Sequence, residues 1–568
     1  MSMRWRTIRP GIALIGLCLI RVVAANPAQN PPLLLQETQA VPPTFKIAGT
    51  VVSAITGAPL ERVRVSIADT RERMQKMEMI TGDGGRFEFA QLPAAKYALE
   101  GRKRGYIASG YDQHEQFSTA IVTGPEFTTD RLVLRLMPMA MISGHILEEA
   151  GEPVRNAQVG LFTEDHGGGM NRVTRMNNTM SDDRGYFEFD LLPPGTYFVS
   201  ARAIPWYAVY PRGQNGDSAQ RVPSALNVAY PTTYYGGATD SEAAAPIQLK
   251  GGEHQQADIH LAPVPALRLV FRIPVEQPKT EQGEPPQPQN YFRMAILQKR
   301  VFDSLEFTQA AQTQMSEPGV FEIQGVPAGK YDITIRGGDP SDAEQLGEMD
   351  LTRDGQDLSA TEGQPLASVK VTLKMPGDEP LPKQYAVGLR DLRERIVAFQ
   401  QGTATGEVTF EAVRPGDYGL VMVGAGKRYS VVRTTSAVGV VPGHHVSIAS
   451  GAALDLTAEL AAGEVRIDGV VQKNGKPLPG VMVALVPNNP EAHVDLFRRD
   501  QSDFDGTFLL QGVIPGTYTI VAVEDAWGFE WLKAGVLARY VQHGQEVIIG
   551  EKMRGTLHLP EPVEVQSK

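Results

Sequence analysis

The chain has a single cysteine in 568 residues, Cys18, and it lies in the apolar run Gly11–Ile20 near the N-terminus. Without that segment, disulfides and cysteine-based metal sites are excluded, and stability must come from packed cores alone. Basic charge is also scarce: 54 Lys and Arg against 65 Asp and Glu give a net charge of −11. Such a balance argues against nucleic acid as a partner, and solubility is the simplest role for it. No stretch after the N-terminal run is long and apolar enough to span a bilayer, and no long amphipathic helix pattern stands out. Phosphate-loop and dinucleotide-binding patterns are absent too. What the chain does hold in quantity is Gly (57) and Pro (41), as turn-rich β structure requires.

A short pattern returns five times. A Gly is followed at +2 and +4 by apolar residues, at +7 by Leu or Val, then by a step containing Pro, and at +12 by Tyr. The fullest copy is Gly185, Phe187, Phe189, Leu192, Pro193, Pro194, Gly195, Tyr197. The others run from Gly85, Gly319, Gly406 and Gly506 to Tyr97, Tyr331, Tyr418 and Tyr518. Tyr is only 17 of 568 residues, so five at one offset point to repeated domains. The +2/+4 alternation predicts a strand with one buried face. The Gly predicts the turn entering it, with Asp83, Asp182, Asp183, Asp503 and Asp505 placed to cap such turns. The Pro step ends the strand and the Tyr opens the next. Copies one, two and five add an opening strand, Ile47 to Val51, Ile142 to Ile146 and Ile467 to Val471, each with a central Gly. A Gly-x-Pro turn follows each. Alternating apolar pairs suggest closing strands: Leu134 and Leu136, Ile259 and Leu261, Val371 and Leu373, Leu557 and Leu559.

The anchors sit mostly about 100 residues apart, the size of one β-sandwich. The expected fold is all-β: a tandem array of about five β-sandwiches, Ig-like in size, after a signal segment. Residues 1–25 read as a secretory signal, with Arg4, Arg6 and Arg9 before the apolar run and Val23-Ala24-Ala25 offering a cleavage site; an uncleaved anchor is the alternative. Its removal would take four Arg and no acid from the net charge. Residues 26–43 form a flexible leader. The sandwiches are expected at 44–138, 139–263 (with a long aromatic-bearing insert), 264–361, 362–462 and 463–560, leaving 561–568 as a tail. The third and fourth are degenerate. The stretch 277–289 reads as an exposed Pro/Gln-rich loop. Short links between copies suggest a semi-rigid rod.

Ile-x-Gly, Gly-x-Pro, Asp-x-x-Gly-x-Phe-x-Phe and Leu-Pro-Pro-Gly-x-Tyr together resemble the carboxypeptidase regulatory-like domain family. Asp182, Gly185, Phe187, Phe189, Leu192, Pro193, Pro194, Gly195 and Tyr197 carry the fullest match. The first, second and fifth copies match over most of their length, and the third and fourth in the central pattern alone. The resemblance implies a transthyretin-like sandwich of about seven strands. It also implies a place in multi-domain secreted bacterial proteins, where such domains accompany other activities and are not catalytic themselves.

Candidate chemistry is thin. His543-Gly544-Gln545-Glu546 has the local spacing of a zinc carboxypeptidase pair but no α/β domain to supply a third ligand. His444-His445 reads as a solvated turn. His166-Gly167-Gly168-Gly169 resembles an oxyanion loop without a nucleophile elbow, so a flexible hairpin tip is expected. The Asp-rich turns lack the ligand spread of a calcium loop. Lys46 has no recurring Asn partner for an isopeptide crosslink. Catalytic residues, metals and cofactors are therefore expected to be none, and the chain is expected not to be an enzyme. The strongest binding candidates are rings: Trp206, Tyr207, Tyr210, Tyr230, Tyr234 and Tyr235 in the second copy's insert, and Trp527 and Trp531 after Tyr518 in the fifth. Flat rings in loops suit pyranose stacking, although packing over the open end of a sandwich is the commoner use. The expected function is a structural, adhesive or binding scaffold, with carbohydrate binding through these rings as the alternative. The expected partners are polysaccharide or cell-envelope proteins. The expected location is secreted or periplasmic, including association with an outer membrane.

Overall fold

Each Gly-to-Tyr copy folds as the sequence pattern requires, and the same pairing rule recurs around it. The computed structural model describes residues 44–568 except 73, 211–224, 273–293, 309–311, 318–319, 337–343, 361–362, 394, 424–428, 437–438, 492 and 534. The signal, the leader, the 277–289 stretch and Gly319 lie outside the described residues. The strands after the anchors are Arg86–Leu92, Tyr186–Leu192, Val320–Pro327, Glu407–Val413 and Thr507–Val513. Each pairs antiparallel with an opening strand: Phe45–Ser53, Ala140–Leu147, Val264–Arg272, Ala367–Lys374 and Val465–Lys473. Each opening strand also pairs parallel with a later strand of its copy. A second sheet, built around the strand that carries the Tyr near its start, covers the first. The protein is thus an all-β chain of tandem sandwiches.

The third and fourth copies keep this topology without the Gly-bearing opening strand. Val371 and Leu373, expected to close a copy, instead lie in the fourth copy's opening strand, with Val371 opposite Val408. Alternation announces a strand but does not say which domain owns it, and at a short link the two candidates adjoin. Residues 561–568 are also not a loose tail. Val563–Gln566 pairs parallel with Val465–Lys473 on one side and with Gly516–Val523 on the other, joining the two sheets of the fifth copy. The charged segment before Met79 is a hairpin arm, Lys76–Ile80 against Arg64–Asp69.

The anchor glycines have two reasons to be Gly. Gly185 has φ +74°, and a Cβ there would lie 2.5 Å from the Ile146 carbonyl oxygen. Gly85 and Gly506 repeat both constraints against Val51 and Val471. Behind the turn, Phe187 and Phe189 enter one core with Ile142, Ile146, Tyr197 and Val199, as the period-2 pattern predicts. Each of the other copies has its own buried cluster.

Two features of the repeat are invisible at the level of hydrophobic pattern. The five tyrosines are buried, and each hydroxyl donates to the carbonyl four residues upstream. The acceptors are Pro93 (3.3 Å), Pro193 (2.7 Å), Pro327 (2.7 Å), Arg414 (2.9 Å) and Ile514 (2.8 Å). This is the logic of a tyrosine corner: the ring fills the core while the hydroxyl pins the Pro-containing bend. At +6 from each anchor sits a residue of positive φ, whatever its type: Gln91, Leu191, Gly325, Ala412 and Gly512, at 56–75°. The antiparallel register slips beside each of these residues, so the strand bulges before the bend.

Candidate functional site

Thr44–Lys568 forms one compact unit, and within it the first and fifth sandwiches touch. A rod of successive copies does not describe this arrangement. The contact is built from the turn at the fifth anchor and the loop after the first copy's Tyr. Asp505 caps its own turn, accepting from the Thr507 N–H at 3.1 Å. Asp503 does not. Its Oδ1 accepts from the Ala120 N–H at 3.0 Å, and its Oδ2 meets Lys96 Nζ at 2.7 Å. Lys96 also reaches Asp505 at 3.2 Å and the Thr507 hydroxyl. The two backbones join directly where the Phe504 N–H donates to the Ala120 carbonyl at 3.0 Å. Phe504 then packs on the first copy's core. Burial pushes the Asp503 carboxyl up, and the Lys96 ammonium opposes that shift.

Beside this seam, Gln501 donates to the Asp112 carbonyl at 2.6 Å and to Thr119 Oγ1 at 2.8 Å. Gly480 abuts Asp112, where a Cβ would lie 2.5 Å from Oδ2. Arg499 is the node of the junction. Its side chain is 5% exposed and pairs in a fork with Glu115 at 3.1 and 2.6 Å. Its guanidinium lies 4.4 Å from the Trp531 ring centroid. It also donates to the Gly167 carbonyl of the second copy at 3.3 Å. One side chain of the fifth sandwich therefore holds the first and the second.

Gly167 to Gly169, expected as a flexible hairpin tip, is a packing loop. The Leu532 N–H donates to the Gly169 carbonyl at 2.9 Å, and the Asn171 N–H to Glu530 at 3.1 Å. A Cβ on Gly169 would lie 2.5 Å from Trp531 Cε2, so close approach to the fifth copy explains the last glycine of the run.

The predicted rings divide by location. Trp531 is 5% exposed, wedged between Arg499, Phe497 and Gly169. Trp527 stacks flat on His114 of the first copy at 4.9 Å and donates to the Gly480 carbonyl at 3.2 Å. Tyr234 is 1% exposed and meets Phe302 of the third copy edge-on at 5.7 Å, within a cluster with Phe162 and Phe198. Burial holds its hydroxyl well above the usual phenol range. Tyr230 packs in the second core and donates to Glu149 at 2.9 Å, and Tyr207 donates to the same carboxylate. Tyr210 donates to the Val228 carbonyl at 3.0 Å. With Tyr230 it lines a cavity of about 40 Å3 that Lys299 and Tyr331 of the third copy complete. Tyr235 packs on the second core. Trp206 alone lies open, 82% exposed, with its ring perpendicular to that of Tyr207.

The remaining neighbours are also tied together. Between the second and third copies, Arg175 pairs with Glu306 and the Val173 N–H donates to Asp303 at 3.0 Å. Between the third and fourth, Arg414 pairs with Asp332 at 2.7 Å and donates to Gln298 at 3.0 Å. Between the fourth and fifth, His444 is not a solvated turn residue. It is 4% exposed, 3.6 Å from Asp495. Burial lowers its imidazole to about 4, partly offset by Asp495. Sequence reasoning missed Lys96, Glu115 and Arg499, whose partners lie about 400 residues away and leave no trace in local spacing. Among the described residues no group of three His, Cys, Asp or Glu side chains is placed to hold a metal. Among them, no helix is long and apolar enough to cross a membrane.

No curated protein matches the chain. Solved structures resemble it weakly. The Bacillus anthracis TIE protein is 11% identical, covering 73% of this chain and 75% of its own, with a TM-score of 0.17. The minor pilin of Streptococcus agalactiae is 12% identical over 39% of this chain and 96% of its own, with a TM-score of 0.20. The shaft pilin SpaA of Lactobacillus rhamnosus GG is 13% identical over 39% and 98%, with a TM-score of 0.19. A model of the carboxypeptidase regulatory-like domain matches residues 46–122 and 141–221. These stretches hold the first two Gly-to-Tyr copies, each with its opening strand and tyrosine corner. The first and second sandwiches of this chain are carboxypeptidase regulatory-like domains.

Proposed function

We propose that this chain is a non-catalytic scaffold, secreted or held at the cell envelope, whose work is structural or adhesive. The observation that carries the reading is the junction around Arg499. Residue types that elsewhere serve ligands — Arg499, Lys96, Asp503, His114, Trp527, Trp531 — bind one sandwich of this chain to another. That use favours a fixed arrangement of surfaces over a reaction. The N-terminal Arg residues and apolar run favour export, and envelope proteins or polysaccharide are the partners that fit such a location. The test is retention of the purified chain on envelope and polysaccharide fractions. Saturable retention without turnover of peptide, ester or glycoside substrates is expected. Turnover overturns the non-catalytic reading, and failure to bind any fraction overturns the adhesive one.

Carbohydrate binding is a second reading, favoured by the open ring of Trp206 beside Tyr207. Trp206→Ala should then abolish retention on insoluble polysaccharide while leaving the melting profile unchanged. Undiminished retention sinks it.

A further inference from the structure

Lys96 differs from the other paired lysines among the described residues. Lys46, Lys370, Lys473 and Lys533 each pair with one acid, and those acids are 33–51% exposed. Lys96 meets two acids of the fifth copy, Asp503 at 2.7 Å and Asp505 at 3.2 Å, which are only 22% and 19% exposed. The Asp503 carboxyl is engaged at both oxygens. Its Oδ1 accepts from the Ala120 N–H at 3.0 Å, and its Oδ2 faces Lys96 Nζ. Asp505 Oδ1 accepts from the Thr507 N–H at 3.1 Å and from the Thr507 hydroxyl at 2.6 Å while facing the same Nζ. Phe504, between the two acids in sequence, packs on the first copy's core and meets Phe127 edge-on at 6.3 Å, so an apolar wall borders the site.

An amine, a carboxyl carbon, a backbone donor on the carboxyl's far oxygen and a second carboxylate beside the amine are the parts of an acyl transfer. We propose that Lys96 and Asp503 condense to an amide, a covalent tie between the first and fifth sandwiches, with Asp505 as the proton carrier. The step needs no further reactant. One proton passes from the Lys96 ammonium to Asp503 Oδ2 along their 2.7 Å contact, leaving a neutral amine and a neutral acid. The amine lone pair then forms a bond to the Asp503 carboxyl carbon, and the displaced electron pair moves onto Oδ1, where the Ala120 N–H holds it. Asp505 takes one proton from the nitrogen and returns it to Oδ2, which leaves as water when the carbonyl reforms. Nothing is oxidised or reduced, and Asp505 ends as it began.

Two obstacles hold such a step back in water: the rarity of a productive encounter and the hydration of the two charges. The seam fixes the reacting groups in contact, which removes the first. Burial raises the Asp503 carboxyl and so lessens the second. The tie also gives a covalent staple to a chain whose one cysteine lies in the N-terminal apolar run.

The test is the intact mass of the purified full chain under denaturing conditions, with tryptic peptide mapping, set against the same chain carrying Lys96→Arg. After allowance for the substitution, the wild type should be lighter by one water. Its map should hold a branched peptide that joins Lys96 to Asp503 and is uncleaved after Lys96. Asp505→Asn should leave the chain largely unlinked while the melting profile still shows folded sandwiches. A wild type of full mass, with the two peptides separate, reduces the contact to an ion pair and overturns the proposal. Loss of water without the branched peptide marks a cyclised Asp–Gly step, as at Asp505 and Gly506, and overturns it too. A fully linked Asp505→Asn chain overturns the role given to Asp505. If either variant fails to fold, the wild-type mass and map decide alone.

Discussion

The +6 position shows how a residue's conformation can be fixed while its identity varies. Leu191 holds φ +57° and is 60% exposed, so its side chain contributes little burial to offset the backbone cost. A left-handed non-Gly residue costs about 1–2 kcal/mol, against about 0.5–1 kcal/mol of extra chain entropy for Gly. Leu191→Gly should therefore raise the stability of the second sandwich, by about 0.5–1 kcal/mol on those figures. Gly325 and Gly512 already occupy the same position in two copies. Chemical denaturation of the variant checks it, and a loss of stability would mean that Leu191 packs in a way its exposure conceals. This bulge is unreadable from one copy, because Gln, Leu, Ala and Gly share no local signal. The tyrosine was readable as a repeated ring, but its hydroxyl's partner was not, because a carbonyl four residues back carries no side-chain signature.

At the scale of elements, the fifth copy's short strand Arg498–Gln501 does most of the joining, and its acids carry a pH signature. Burial pushes the Asp500 carboxyl up to about 6, while its Oδ2 accepts from the Leu509 N–H at 2.6 Å. A carboxyl whose folded pKa lies above its unfolded value of about 3.9 favours the folded state when protonated. Its contribution is present in acid and is lost as pH rises from about 4 through about 6. Asp503 shifts in the same direction. His444 runs the other way. Its pKa is lowered to about 4, so its contribution is present above about 6.5 and is lost on acidification toward 4. Asp500→Asn should thus shift the slope of the fifth sandwich's melting temperature with pH upward between about 4 and 6, because the Asp500 loss is removed while the opposite His444 trend stays. Melting curves across that range decide it, and an unchanged slope would show that Asp500 does not titrate there. The strand itself was not marked by the sequence pattern. Arg-Arg-Asp-Gln has no apolar alternation, because Arg499 and Gln501 meet another domain's polar loop while Arg498 and Asp500 bond the backbone of their own copy.

For the whole molecule, the decisive question is whether closure between the first and fifth sandwiches is an energetic fact or a passive contact. Domain existence was legible from the Gly-to-Tyr spacing, but closure was not, since it rests on pairs such as Lys96 with Asp503 and Glu115 with Arg499. Glycine runs and aromatics were visible as unusual, and the structure spends most of them at these seams. Arg499 tests the matter best because it touches three copies. Arg499→Ala would remove the fork to Glu115, the donor to Gly167 and the cation over Trp531 while leaving the Glu115 charge only 18% exposed. Breaking a buried pair by deleting one partner costs about 3–5 kcal/mol. None of that loss falls on the first copy's own core, whose residues Arg499 does not join. The expected outcome is a first sandwich that melts separately from the fifth in calorimetry. Hydrogen exchange should rise at the Phe504 N–H, bonded to the Ala120 carbonyl, and at the Ala120 N–H, bonded to the Asp503 carboxylate, and stay low at Tyr97 and Tyr518. Arg499→Lys should restore the charge but not the fork or the flat stacking, and so recover only part of the coupling. If the Ala variant melts in one transition with unchanged exchange at Ala120, the two sandwiches are held by the rest of the seam, where Lys96 meets Asp503, Gln501 bonds Asp112 and Thr119, and Trp527 stacks on His114, and Arg499 is a bystander to closure.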